Sequence, residues 1–121
     1  MKKRMIIEMG MGVDQHGHNN DPSNAAIKAI KDAISNNCLP ALREILNITN
    51  PNRMIVDILI GCPFPDKINE KKVLRAVPFG IKNLKAVEGG LLVEGIKIPE
   101  LGDDSPNMIV ANAAITVSFD L

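Results

Sequence analysis

Met108-Ile109-Val110-Ala111-Asn112-Ala113-Ala114-Ile115-Thr116-Val117-Ser118-Phe119 alternates without a break. Ile109, Ala111, Ala113, Ile115, Val117 and Phe119 share one side of an extended chain. Met108, Val110, Asn112, Ala114, Thr116 and Ser118 share the other. Successive side chains of a strand point to opposite faces, so this run predicts a long strand whose first set packs on helices. Residues 53–61, with Met54-Ile55-Val56-Asp57-Ile58-Leu59-Ile60, predict a second strand. Residues 3–9 predict a third, with Met5, Ile7 and Met9 on one face and Ile6 and Glu8 on the other.

Helical patterns separate the strands. Over 22–37 the apolar residues Ala26, Ile27, Ile30, Ala33 and Ile34 follow helical spacing, with Lys28, Lys31, Asp32 and Ser35 between them. Asp21 is placed as N-cap, Pro22 at the first helical position, and Asn36-Asn37 as the stop. Pro40 opens a shorter helix that turns Leu42, Ile45 and Leu46 inward. Asn69 caps a third at 69–76, with Ile68 and Val73 as a hydrophobic staple. Residues 81–87 and 91–98 flank Gly89-Gly90, a pair that suits a hairpin turn.

The order β-α-α-β-α-β-β-β reads as one α+β domain over 1–121. The expected form is a two-layer sandwich, a mixed or antiparallel sheet of about five strands with helices on one face. The helix-free face is expected to carry Ile6, Glu8, Ile55, Asp57, Leu59, Val110, Asn112 and Thr116. It is too apolar for solvent, which predicts a homo-oligomer.

Composition narrows the function. Lys+Arg and Asp+Glu are each 14, Trp and Tyr are absent, and the aromatic residues are Phe64, Phe79 and Phe119. A nucleic-acid binder normally shows a basic excess and a stacking surface, so none is expected. Cys38 and Cys62 are too few for a disulfide scaffold and read as reduced thiols, Cys38 as a buried filler between helices. Met1-Lys2-Lys3-Arg4 is followed by too short an apolar run for a signal peptide, and no stretch spans a membrane. The expected location is the cytoplasm.

The chemistry concentrates in Gly10-Met11-Gly12-Val13-Asp14-Gln15-His16-Gly17-His18. Asp14, His16 and His18 are spaced by two, so an extended segment would aim one carboxylate and two imidazoles at one point. That set suits a divalent transition metal with open positions. The same residues also read as a metal-free acid–base group, or as a turn held by an Asx bond from Asp14. Gln15 stands where a dinucleotide fingerprint needs glycine, and no Gly-Lys-Ser/Thr follows for a phosphate loop. Asp57, set in the most apolar strand, needs either a cation, across a subunit interface for instance, or a role as general acid or base. Cys62 could form a nucleophilic pair with His16, and Asp103-Asp104-Ser105 reads as a solvated loop.

Residues Gly10 to Gly17 match G-x-G-x-D-x-H-G. The pattern resembles the N-terminal signature of a family of conserved hypothetical proteins found in Firmicutes and plants. The likeness continues through 22–37, Asn37-Cys38-Leu39-Pro40-Ala41-Leu42-Arg43-Glu44-Ile45, Glu88-Gly89-Gly90 and Asn112-Ala113-Ala114. It implies that Gly10, Gly12, Asp14, His16 and Gly17 are the positions the family singles out. His18 lies outside the signature, and the resemblance implies no activity.

The expectation is a small-molecule enzyme of hydrolase or lyase type, with Asp14, His16 and Asp57 as catalytic groups in a pocket near a subunit interface. Gly10, Gly12, Gly17 and Asn112 would bind the ligand. Asp14, His16 and His18 would hold the metal, if one assists. The alternative is a non-catalytic oligomeric protein that binds a metal or a metabolite.

Overall fold

A computed structural model describes residues 1–121. The strands are β1 (Lys2–Asp14), β2 (Ile55–Cys62), β3 (Ile81–Glu88), β4 (Leu91–Glu94) and β5 (Asn107–Asp120). The helices are α1 (Ser23–Ser35), α2 (Ala41–Glu44) and α3 (Glu70–Leu74). They form an α+β sandwich on a mixed five-stranded sheet.

The alternating run at the C-terminal end organises the sheet. β5 lies between β1 and β2 and is antiparallel to both, and β3 pairs with β2 in parallel. Ile109, Ala111, Ala113, Ile115, Val117 and Phe119 are all buried, on the side the alternation predicts. Ala25, Ala26, Ala29, Ile30 and Ala33 of α1 meet them. Asp21 accepts the Ser23 N–H at 2.9 Å at the start of α1, and Asn69 accepts the Lys72 N–H at 3.2 Å at the start of α3. Asn69 caps α3 as the sequence suggested, whereas the N-cap position of α1 falls on Pro22 and Asp21 bonds to the helix from one residue ahead of it.

Gly89-Gly90 does not form a hairpin. β3 pairs only with β2, whereas β4 pairs with β5, Leu91 opposite Val110, just beyond the last β2 pair of Gly61 with Asn112. The chain leaves β3, steps sideways over the end of β2, and continues in the place β2 has vacated along β5. Gly90 has φ 61°, and a Cβ there would lie 2.0 Å from the Val110 carbonyl oxygen. The glycines are needed for a close crossing rather than a reversal.

β1 also differs from expectation. It runs on through Gly10 and Gly12 to Asp14, because both glycines lie under α1. A Cβ at Gly10 would be 2.2 Å from the Ala29 carbonyl oxygen, and one at Gly12 2.2 Å from that of Ala25. This contact fixes the parity of the strand. Glu8 shares the glycine side and is buried there, while Ile7, Met9 and Met11 are exposed on the open face. The expected placement of Ile6 and Glu8 on the open face is therefore reversed, past an irregularity in pairing between Arg4 and Ile6.

Two local expectations fail near α2. The helix is a single turn, and Ile45 points to solvent instead of inward. Cys38 is exposed in the segment before it, not buried between helices.

Candidate functional site

Asp14 is the last residue of β1 and its side chain is buried on the helix side of the sheet. Its Oδ1 accepts the His16 backbone N–H at 3.2 Å, which makes an Asx turn at the strand end. Gly17 then turns the chain at φ 65°. A Cβ there would sit 2.5 Å from the Asn107 carbonyl oxygen. His18, Asn19 and Asn20 follow with φ of 39°, 59° and 61°. A run of left-handed residues is costly outside glycine, least so for asparagine. Asn20 is held by the Asn107 side chain, which donates to its Oδ1 at 3.2 Å. The turn thus spends backbone strain to bring His18 back to Asp14.

Two imidazole–carboxylate pairs result. His18 Nδ1 lies 2.5 Å from Asp14 Oδ2, and His16 Nδ1 lies 2.8 Å from Asp103 Oδ1. The second carboxylate oxygen of Asp103 accepts the Ile98 N–H at 2.9 Å. That backbone bond, followed by His16, holds the Asp103 carboxyl below its usual range despite burial. A carboxylate only accepts, so each Nδ1 donates, and in the neutral imidazole each Nε2 keeps its lone pair. The two rings are 6.4 Å apart between centroids and stand nearly perpendicular, at 87°.

Both imidazoles line one open cleft of about 340 Å³, together with Gln15, Asn24, Lys28 and Lys31. α1 supplies the last three. Lys28 Nζ donates to the Val13 carbonyl at 3.0 Å, which holds its ammonium at the mouth. The cleft combines two oriented imidazoles with two ammonium groups, the charge to attract an anionic group and the groups to exchange a proton beside it.

The other expected site residues are distributed differently. Gly17 shapes the turn. Gly10 and Gly12 are covered by α1 and do not reach the cleft. Asp14, His16 and His18 do not converge as one ligand set. Asp14 spends its oxygens on His16 and His18, and no three His, Cys, Asp or Glu side chains have the geometry of a metal site. Asp57 is on the opposite face of the sheet, as is Asn112. It sits opposite Thr116 and Asp14 opposite Ile109, so about 24 Å of β5 separates them at 3.4 Å per residue. Its partners are intramolecular, Lys2 Nζ at 2.8 Å and Asn83 Nδ2 at 3.0 Å. Lys2 above all holds its carboxyl below the usual value. Cys62 is fully buried in the core and its thiol is pushed up to about 11 by that burial, with Glu88 adding to it, so it forms no nucleophilic pair with His16.

Sequence reasoning missed Asp103. It belongs to a long loop, and its side chain is buried rather than solvated. An aspartate after a glycine in a loop is ordinary, and only the fold places this one beside His16.

These features define a class: a small two-layer α+β protein with a pair of carboxylate-oriented histidines at the end of its edge strand. The chain belongs to a family of conserved hypothetical proteins, Lin0512_fam, which matches residues 4–117. It is also similar to a crystal structure from Nostoc punctiforme, described as an FtsZ-like protein of unknown function. The two are 43% identical with a TM-score of 0.89, over 99% of this chain and 98% of the other. No curated protein matches the chain. No helix is long and apolar enough to cross a membrane.

Proposed function

We propose that this protein is a small-molecule enzyme of hydrolase or lyase type, acting on a small anionic metabolite. The observation that carries this reading is the pairing of two imidazoles with two buried carboxylates at one cleft. His16 and His18 serve as the acid–base groups. Asp103 and Asp14 orient them, and Lys28 and Lys31 hold the anionic end of the substrate. One free Nε2 takes a proton from water or from a substrate carbon, and the imidazolium so formed returns that proton to the leaving group.

The test is a turnover screen of phosphomonoesters, lactones, amides and hydroxy acids. His16→Asn and His18→Asn run in parallel, with melting temperature as the control for folding. Loss of about 10²-fold or more in kcat for both variants, at unchanged melting temperature, is expected. If nothing is turned over, and inorganic phosphate and citrate leave the histidine ring NMR signals unmoved, the reading is wrong.

We propose further that a second copy of the chain covers the open face of the sheet. Ile7, Met9, Met11, Leu59, Ile81 and Leu91 are exposed there, an apolar surface that monomers seldom display. Asp57, the carboxylate at its centre, already has Lys2 and Asn83 as partners, so covering it strands no lone charge.

A further inference from the structure

A second cavity, of about 420 Å³, lies on the other flank of α1. Ile34, Leu39, Leu42, Met54, Val77 and Phe79 are among its walls, so it is largely apolar. Glu8 is its one carboxylate, and no lysine or arginine lines it. Glu8 is only 6% exposed, and its Oε2 has no hydrogen-bond partner. Glu8 sits opposite Ile115 and Asp14 opposite Ile109, so about 20 Å of sheet separates this cavity from the histidine cleft at 3.4 Å per residue.

A buried carboxyl with an empty oxygen costs free energy, and native proteins carry few such groups without a use for them. Nothing else in the chain satisfies this one. Asn37 gives one amide N–H to the Ala33 carbonyl at 2.6 Å and also acts on the carboxyl, yet Oε2 is left without a partner. The cavity volume falls in the range of small-molecule sites, which are mostly apolar with a few placed polar groups. We propose that this cavity binds a small amphipathic amine, with its hydrocarbon body among the apolar walls and its ammonium N–H groups donated to Glu8. An amine fits where an acid or alcohol does not, because only a cation both fills the empty oxygen and neutralises the ionised carboxyl. Burial raises the Glu8 carboxyl above its ordinary 4.5, with a hydrogen bond from Asn37 opposing it.

Cys38 lines the same cavity and is exposed, so its reactivity reports occupancy. Hexylamine, hexanol and hexanoate would be titrated against the protein while the rate of Cys38 modification by a disulfide reagent is followed. Hexylamine is expected to slow that rate at the lowest concentration of the three. Glu8→Gln should weaken hexylamine about tenfold or more while leaving hexanol unchanged. Leu42→Trp, which fills the cavity from α2, should abolish protection in a chain whose Glu8 is intact. Equal protection by all three probes, or none by hexylamine, would overturn the proposal. So would amine protection that survives Glu8→Gln.

Discussion

Asp103 and Glu8 are both buried carboxyls, yet they bend the stability of the molecule in opposite directions with pH. The Ile98 N–H and His16 hold the Asp103 carboxyl low, so its stabilisation is present above the unfolded value of 3.8 and fades as pH falls through the folded one. Burial raises Glu8, so the folded state keeps a proton that the unfolded chain has lost. Its penalty grows as pH rises from the unfolded value of 4.5 through the folded one. Glu8→Gln is therefore expected to raise the melting temperature by a few degrees at neutral pH, and the gain should vanish below about 4.5. Melting curves across pH, followed by circular dichroism, would show it. The thiols make a second residue-scale contrast. Cys38 is exposed, whereas the Cys62 thiol is buried and pushed up to about 11. At neutral pH a thiol reagent should titrate Cys38 in the native protein and Cys62 only after denaturation. Rapid native labelling of Cys62 would contradict its burial in the core.

The decisive contact between elements is α1 on β1. With Gly10 and Gly12 beneath Ala25, Ala29 and Ala33, the helix backbone comes within reach of the strand backbone. Gly12→Ala should therefore destabilise the fold by about 1–3 kcal/mol or more, since neither backbone can move aside freely. Urea denaturation would measure the loss, and a neutral result would mean that α1 leaves room for a Cβ above Gly12. The helix also closes part of the strand edge. Asp32 accepts the Met11 N–H at 2.9 Å and Lys28 donates to the Val13 carbonyl at 3.0 Å. Free edges invite pairing with other chains, and these two side chains occupy this one.

Much of this scale was legible in the sequence. The alternation at 108–119 located the central strand and its buried face, and helical spacing located α1. The glycine pairs misled because glycine has one signature for two uses, a turn and a close approach. At 10 and 12 the approach is to a helix that follows in the chain. At 89 and 90 it is to a strand whose position local pattern does not encode. The site was half legible. The spacing of Asp14, His16 and His18 marked the place, but the carboxylate that orients His16 arrives from a loop 87 residues away.

At the scale of the whole molecule, one face of the sheet is paired with helices and the other is bare. If a second copy covers the bare face, placing charges in its middle should separate the subunits. Met9→Lys with Leu59→Lys is expected to yield a monomer by sedimentation, with the histidine cleft intact on the opposite face. A wild-type chain that sediments as a monomer at all concentrations would end that proposal.

The arrangement of the sheet also sets a schedule. β5 touches β1, β2 and β4, and it is synthesised after all of them. β1 must wait for a partner about a hundred residues downstream, with Asp14 opposite Ile109 and Lys2 opposite Asp120. Pairing at such separation folds slowly because a long loop must be closed first. On the ribosome, the glycine-bearing strand and its helix emerge well before their sheet partner, and stay without it until β5 has left the exit tunnel. Until β5 arrives, the edge of β1 that it pairs with stays open, and pairing with other chains competes with folding.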